Sequence, residues 1–129
     1  MTSGKDSTVA LLATSSDTLA AGMSALLLSI PPIRQVEMRE DLGTLVAQLD
    51  GQNPALIVID SVLIDLTSSG QIDALRQRAP HSLLVYLTED MSEFRRLETA
   101  TADTVVMKGT DPAQLAQRLE QLLREHVTT

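Results

Sequence analysis

Three polar residues stand where apolar runs stop. Asp60 follows Leu56-Ile57-Val58-Ile59, Thr88 follows Leu84-Val85-Tyr86-Leu87, and Lys108 follows Val105-Val106-Met107. A carboxylate, a hydroxyl and an ammonium brought together suit phosphoryl acceptance. Asp60 is then the nucleophile that forms an aspartyl phosphate. The product adds about 1.5 to 2 negative charges and strong acceptor oxygens, which Lys108 can offset and the Thr88 hydroxyl can bind. Taken singly the residues have simpler readings: Asp60 caps a turn, Thr88 is a turn or capping residue, and Lys108 is solvated surface. Their recurrence at successive strand ends is what points to chemistry.

The elements that must position them read in order along the chain. Pro54 to Asp60 is an apolar run of the kind found in a strand buried on both faces. Thr8–Ala13, Ser82–Leu87 and Thr104–Met107 are further buried strands, and Ile33–Met38, of mixed polarity, is an edge strand. Helices are expected from Ser16 or Asp17 to about Ser29, from Asp41 to Leu49, over Gln71–Ala79, from Met91 to about Ala100, and from Pro112 to about Glu125. The first has an apolar stripe of Leu19, Met23, Leu27 and Ile30, and Pro31-Pro32 stops it. The last opens on Asp111-Pro112-Ala113-Gln114, an acidic cap with Pro in the first helical position. Its core face is Leu115, Leu119, Leu122 and Leu123. Ser61–Gly70 is a loop that contains part of a helical turn. Five βα units in succession give a three-layer α/β fold, a parallel sheet with right-handed crossovers. The wet second strand belongs at an edge, in the doubly wound order 2-1-3-4-5. Ligands of such sheets gather at the carboxyl ends of the strands, where Asp60, Thr88 and Lys108 lie.

Composition sets limits. With 129 residues and 43% hydrophobic content the chain is one domain with a real core. A net charge of -7 argues against a nucleic-acid surface. Tyr86 and Phe94 are the only aromatic residues, too few for base or flavin stacking. The absence of cysteine excludes disulfides and thiol catalysis and fits a reducing cytoplasm. No stretch is apolar and long enough to be a membrane span. The expected layout is a disordered N-terminus over 1–7, a domain over 8–126 and a frayed tail over 127–129.

The residues Asp60 after Leu-Ile-Val-Ile, Thr88 after Leu-Val-Tyr-Leu and Lys108 after Val-Val-Met resemble the receiver domain of bacterial two-component response regulators. The resemblance covers roughly Thr8 to Glu125. The run Val105-Val106-Met107-Lys108-Gly109-Thr110-Asp111-Pro112 looks like the receivers of LuxR-type, NarL-like regulators. It implies a flavodoxin-like (βα)5 fold and phosphorylation of Asp60 by a histidine kinase with Mg²⁺. It also implies Thr88 and Lys108 as phosphate-binding and switch residues, and output through the face of the fourth helix, fifth strand and fifth helix.

This chain departs from that pattern. Receivers carry an acidic pair at the end of the first strand that helps hold the metal; here the position reads Ala13-Thr14-Ser15-Ser16. Asp17 is a weak substitute, better placed to cap the first helix, and Asp65 is a weaker one. Hard cations take several charged oxygen ligands, so Mg²⁺ is expected to bind poorly. The usual aromatic switch position is Val105, and the residue after the Lys is Gly109 instead of Pro. The chain therefore reads as an atypical receiver, a pseudo-receiver. In it Asp60 and Lys108 form a constitutive ion pair, no cofactor is required, and protein–protein contact regulates an output such as transcription.

Expected partners are a histidine kinase or another signalling protein, and a second copy of the chain in a homodimer. A C-terminal DNA-binding output domain would belong to a portion missing from this chain. Neither direct nucleic-acid binding nor membrane binding is expected. Two rival readings stay open. One is a conventional Mg²⁺-dependent phosphorylated receiver. The other is a flavodoxin-like electron carrier that holds FMN phosphate on the hydroxyl-rich loop from Ala13 to Thr18. An unrelated enzyme is disfavoured, because neither His81 nor His126 has an evident catalytic partner.

Overall fold

The structure, a computed structural model, describes residues 8–49, 53–64, 69–89, 92 and 103–128, the side chains of 69 and 126–128 excepted. The expected helix over Met91–Ala100, with Arg95 and Arg96, lies outside these residues save for Ser92, as do Asp65 and the first seven residues. The described elements run in chain order: β1 (Val9–Ala13), α1 (Asp17–Leu28), β2 (Gln35–Arg39), α2 (Leu42–Ala47), β3 (Leu56–Asp60), a 3₁₀ turn (Ser61–Leu63), α3 (Ser69–Arg78), β4 (Leu83–Thr88), β5 (Thr104–Met107) and α4 (Pro112–Thr128). The five strands form one parallel sheet in the order β2-β1-β3-β4-β5, as the sequence pattern predicts.

Every residue of β3 and β4 is buried, so the pleat sends alternate side chains into two separate cores. Ala10, Leu12, Leu56, Val58, Val85, Leu87 and Val106 face Met23 and Leu27 of α1 and Leu115, Leu119 and Leu123 of α4. Leu11, Ile57, Ile59, Leu84, Tyr86 and Val105 face Leu42 and Leu45 of α2 and Ile72 and Leu75 of α3. The expected stripe of α1 is mostly in place: Met23, Leu27 and Ile30 are buried and Leu19 packs against them. On α4 Leu115, Leu119 and Leu123 are buried, while Leu122 is only partly covered.

Boundaries shift where local hydrogen bonds decide them. The second strand begins at Gln35, two residues later than expected, and takes in Arg39. Ile33 instead closes the Pro31-Pro32 turn: its N–H donates to Ile30 O at 2.9 Å, and its side chain is buried in the core. Asp41 is the N-cap of α2 and accepts the Thr44 N–H at 2.7 Å. That helix ends at Ala47; the Gln48 N–H still meets Thr44 O at α-helical spacing, the Leu49 N–H meets Val46 O in a tighter turn, and Leu49 stays buried outside the helix. α4 starts as expected, with Asp111 accepting the N–H groups of Ala113 and Gln114 at 3.1 and 3.3 Å. It continues to Thr128. No Gly or Pro after Pro112 stops the helix.

The edge strand β2 pairs on one side only. Its polar residues recur at every second position and are linked: Gln35 Nε2 donates to Glu37 Oε2 at 2.8 Å, and Arg39 Nη2 donates to Glu37 Oε1 at 2.9 Å. The amino ends of the central strands are tied by a second polar group. Asp103 Oδ2 accepts the Leu84 N–H at 2.8 Å, and Asp103 Oδ1 pairs with Arg76 Nη2 at 2.9 Å. Arg76 also donates to Ser82 O at 3.2 Å, and the buried Ser82 hydroxyl donates to Pro54 O at 2.5 Å. No helix among the described residues is long and apolar enough to cross a membrane.

Candidate functional site

Asp60 is the last residue of β3 and is only 2% exposed. It shares the parity of Leu56 and Val58, so it leaves the strand on the side of α1 and α4. Lys108 follows Val106 by two positions and leaves on the same side. The two meet: Lys108 Nζ lies 2.6 Å from Asp60 Oδ1. The ammonium also lies 3.6 Å from Oε1 of the largely exposed Glu89. The same Asp60 oxygen accepts the Val62 N–H at 3.2 Å and so caps the 3₁₀ turn. The capping role and the ion pair therefore coexist on one carboxylate.

The other carboxylate oxygen has a partner that the sequence reading did not single out. The Thr14 hydroxyl donates to Asp60 Oδ2 at 2.8 Å. Thr14 is 5% exposed and follows directly after β1. The β1–β3 register pairs Ala13 with Ile59, which sets position 14 beside position 60. That register belongs to the folded sheet, and no local sequence signal announces it. Thr14 is further fixed by its N–H, which donates to Arg39 O at 3.0 Å, and its hydroxyl oxygen accepts the Ser16 N–H at 3.1 Å.

Thr88 ends β4, fully buried, and its carbonyl accepts the Lys108 N–H at 2.8 Å. It thereby holds the main chain that carries the lysine. Along β4 it has the parity of Leu84 and Tyr86, not that of Val85 and Leu87. Asp17 is the first residue of α1, and the N-cap is Ser16, whose hydroxyl accepts the Leu19 N–H at 3.2 Å. Asp17 borders a depression with Thr14, Ala20, Met38, Arg39 and Glu40. Asp60 and Lys108 open onto a different one, with Ser15, Ser16, Thr18, Leu19, Val62 and Glu89. The structure thus brings Asp60 and Lys108 together, joins Thr88 to the lysine through the main chain, and leaves Asp17 on a neighbouring surface.

The donor set can be tested against the divalent cation that the resemblance implies. Among the described residues no three acidic or histidine side chains converge. Both oxygens of Asp60 already accept hydrogen bonds or an ion pair, and Lys108 lies between Asp60 and Glu89. A hard cation takes six or so oxygen ligands with several negative charges among them. The described residues do not fit one. What they can do is hold a buried carboxylate in one orientation against an internal cation.

No family model matches the chain, and no curated protein matches it. Solved structures do. It is similar to a CheY-like response regulator receiver domain protein from Methanospirillum hungatei JF-1, with a TM-score of 0.72 and 19% identity over 93% of this chain and 96% of that one. It is similar to a putative pilus assembly-related protein from Burkholderia pseudomallei K96243, with a TM-score of 0.77 and 19% identity over 92% of this chain and 91% of that one. It is also similar to the N-terminal domain of a response regulator/sensory box/GGDEF 3-domain protein from Carboxydothermus hydrogenoformans, with a TM-score of 0.75 and 22% identity over 93% and 97%. In strand order, parallel pairing and coverage, the chain has the fold of a CheY-like receiver domain.

Proposed function

We propose that this chain is an atypical receiver domain of two-component, phosphorelay signal transduction, with Asp60 as candidate phosphoacceptor and phosphorylation there weak or absent. The observation that carries the reading is the occupied carboxylate. Asp60 is buried at the end of β3 with Lys108 Nζ 2.6 Å from one oxygen and the Thr14 hydroxyl 2.8 Å from the other. The fold likeness supports a place in signalling, and the described donor set supports poor Mg²⁺ binding. Phosphoryl transfer to a carboxylate depends on neutralising the charge of the incoming group.

In this reading the domain is a binding module and not an enzyme, and it needs no cofactor. Thr88 and Lys108 are the phosphate-binding and switch residues if a phosphoryl group arrives. Its partners are a histidine kinase or another signalling protein, and a second copy of the chain. The output is transcription in the cytoplasm, through a DNA-binding domain of the LuxR type carried outside these 129 residues. The acidic surface supports assigning DNA contact to such a separate domain.

NMR titration of the labelled protein with Mg²⁺, then with beryllofluoride as a mimic of the aspartyl phosphate, tests this. The expected result is no shift at millimolar Mg²⁺ and none on adding beryllofluoride. Shifts around Asp60 in Mg²⁺, spreading through Thr88 to the last helix with beryllofluoride, overturn it in favour of a conventional Mg²⁺-dependent receiver.

A further inference from the structure

The Thr14 hydroxyl has one proton and two lone pairs. Its proton goes to Asp60 Oδ2 at 2.8 Å, and its oxygen accepts the Ser16 N–H at 3.1 Å. Ser16 in turn caps α1 by accepting the Leu19 N–H at 3.2 Å. These hydrogen bonds, joined through the covalent frame of Ser16, therefore link the buried carboxylate to the first turn of α1. The main chain of Thr14 is anchored to Arg39 O, so a change at Asp60 is met by rotation of the hydroxyl before any movement of the strand end.

The direction of the chain is set by the chemistry of Asp60. A carboxylate only accepts, so the Thr14 proton faces it. The opposite oxygen, Oδ1, receives two donors, the Lys108 ammonium and the Val62 N–H. A group at position 60 with one donor and one acceptor keeps its acceptor on that two-donor side. Its donor then falls against Thr14. The Thr14 oxygen then accepts from it as well as from the Ser16 N–H, the Thr14 proton swings away from the carboxylate, and the hydroxyl, no longer polarised by an anionic acceptor, holds the Ser16 N–H more weakly.

We propose that Thr14 is a positioning residue that couples the state of Asp60 to the N-terminus of α1. The first turn of α1 is then a readout of the site, in addition to the strand end at Thr88. This rests on the reading of Asp60 as the candidate phosphoacceptor of the site.

Amide hydrogen exchange at Ser16 and Leu19, followed by NMR on the full chain, tests the coupling. The Leu84 N–H, held by Asp103 at the other end of the sheet, is the control for intact folding. Asp60→Asn reverses the bond to Thr14, and Thr14→Val removes it. Each is expected to speed exchange at Ser16 and Leu19 by roughly three- to tenfold, the scale of one lost hydrogen bond. Thr14→Ser keeps the hydroxyl and is expected to keep native rates. Asp60→Asn in the Thr14→Val background is expected to add less than about twofold, since both act through one chain. Unchanged rates in Asp60→Asn, a loss of native rates in Thr14→Ser, or fully additive effects in the double variant overturn the proposal. Should Thr14→Val not fold, the Asp60→Asn and Thr14→Ser results decide it. Failure here leaves the atypical-receiver reading standing, whereas Mg²⁺-dependent phosphorylation of Asp60 overturns that reading and leaves the coupling intact.

Discussion

Lys108 Nζ and Asp60 Oδ1 stand 2.6 Å apart, with 16% of the lysine side chain and 3% of the aspartate exposed. At that burial salt screens the pair little, and removing one partner strands the other. Lys108→Met is expected to lower stability by about 2 to 4 kcal/mol. Asp60→Asn is expected to cost less, because the ammonium it leaves is the more exposed partner and keeps Glu89 Oε1 at 3.6 Å. The double variant Asp60→Asn/Lys108→Met should lose less than the sum of the two. Urea denaturation followed by far-ultraviolet circular dichroism checks all three, with an unchanged slope showing that the midpoints report stability.

Asp103 carries a second group, at the opposite end of the sheet. Its carboxylate accepts the Leu84 N–H and pairs with Arg76. Asp103→Ala leaves that backbone donor without its acceptor and the guanidinium without its counter-charge. A loss of about 1 to 3 kcal/mol is expected. Arg76→Ala, which leaves the Leu84 bond in place, is expected to cost less. Chemical shifts of Asp60, Thr14 and Lys108 should be unmoved in both.

Asp41 gives a pH dependence with a definite sign. The backbone N–H of Thr44 foremost, then the Thr44 side chain, holds its carboxyl below the ordinary value of 3.8, against a small opposing effect of burial. The folded state thus favours the ionised form. Its contribution is fully present above the ordinary value and is lost as pH falls through the lower folded one. Asp41→Asn keeps a capping oxygen but no charge. The wild type should be the more stable near neutral pH, and the difference should close below the ordinary carboxylate range. Thermal melts of both proteins across pH 2 to 7 measure it.

The helix α4 offers a packing test. Leu119 is fully buried against both α1 and the sheet, whereas Leu122 is only partly covered. Leu119→Ala is expected to cost about 3 kcal/mol, and Leu122→Ala about 1 kcal/mol or less. Comparable losses would mean that the helix is rotated from its described position. The same denaturation experiment decides this.

The fold was legible because its pattern is simple. Apolar runs of five or six residues alternate with amphipathic segments, and the one strand of mixed polarity, read over Ile33–Met38, belonged at an edge, where the structure has Gln35–Arg39. Asp60 and Lys108 were legible because a charge that ends a fully apolar run is out of place unless something meets it. Thr14 was not. A hydroxyl in Ala13-Thr14-Ser15-Ser16 has the look of an ordinary helix start, and Ser16 does serve as one. Only the alignment of β1 with β3 sets Thr14 against the carboxylate. Asp103 was missed for a related reason: its partners Arg76 and Leu84 lie 27 and 19 residues away, and nothing local announces them.

The linked row Gln35–Glu37–Arg39 has a consequence for how the molecule behaves in a crowd. A parallel sheet left open at one side offers unpaired N–H and C=O groups to any extended chain that drifts by. Here a newcomer that paired with β2 would lay its own side chains beside Glu37 and Arg39, and an apolar one would strip water from that charged pair. The charges on this strand therefore disfavour addition of an apolar strand at one of the sheet's two margins, β2, while β5 forms the other.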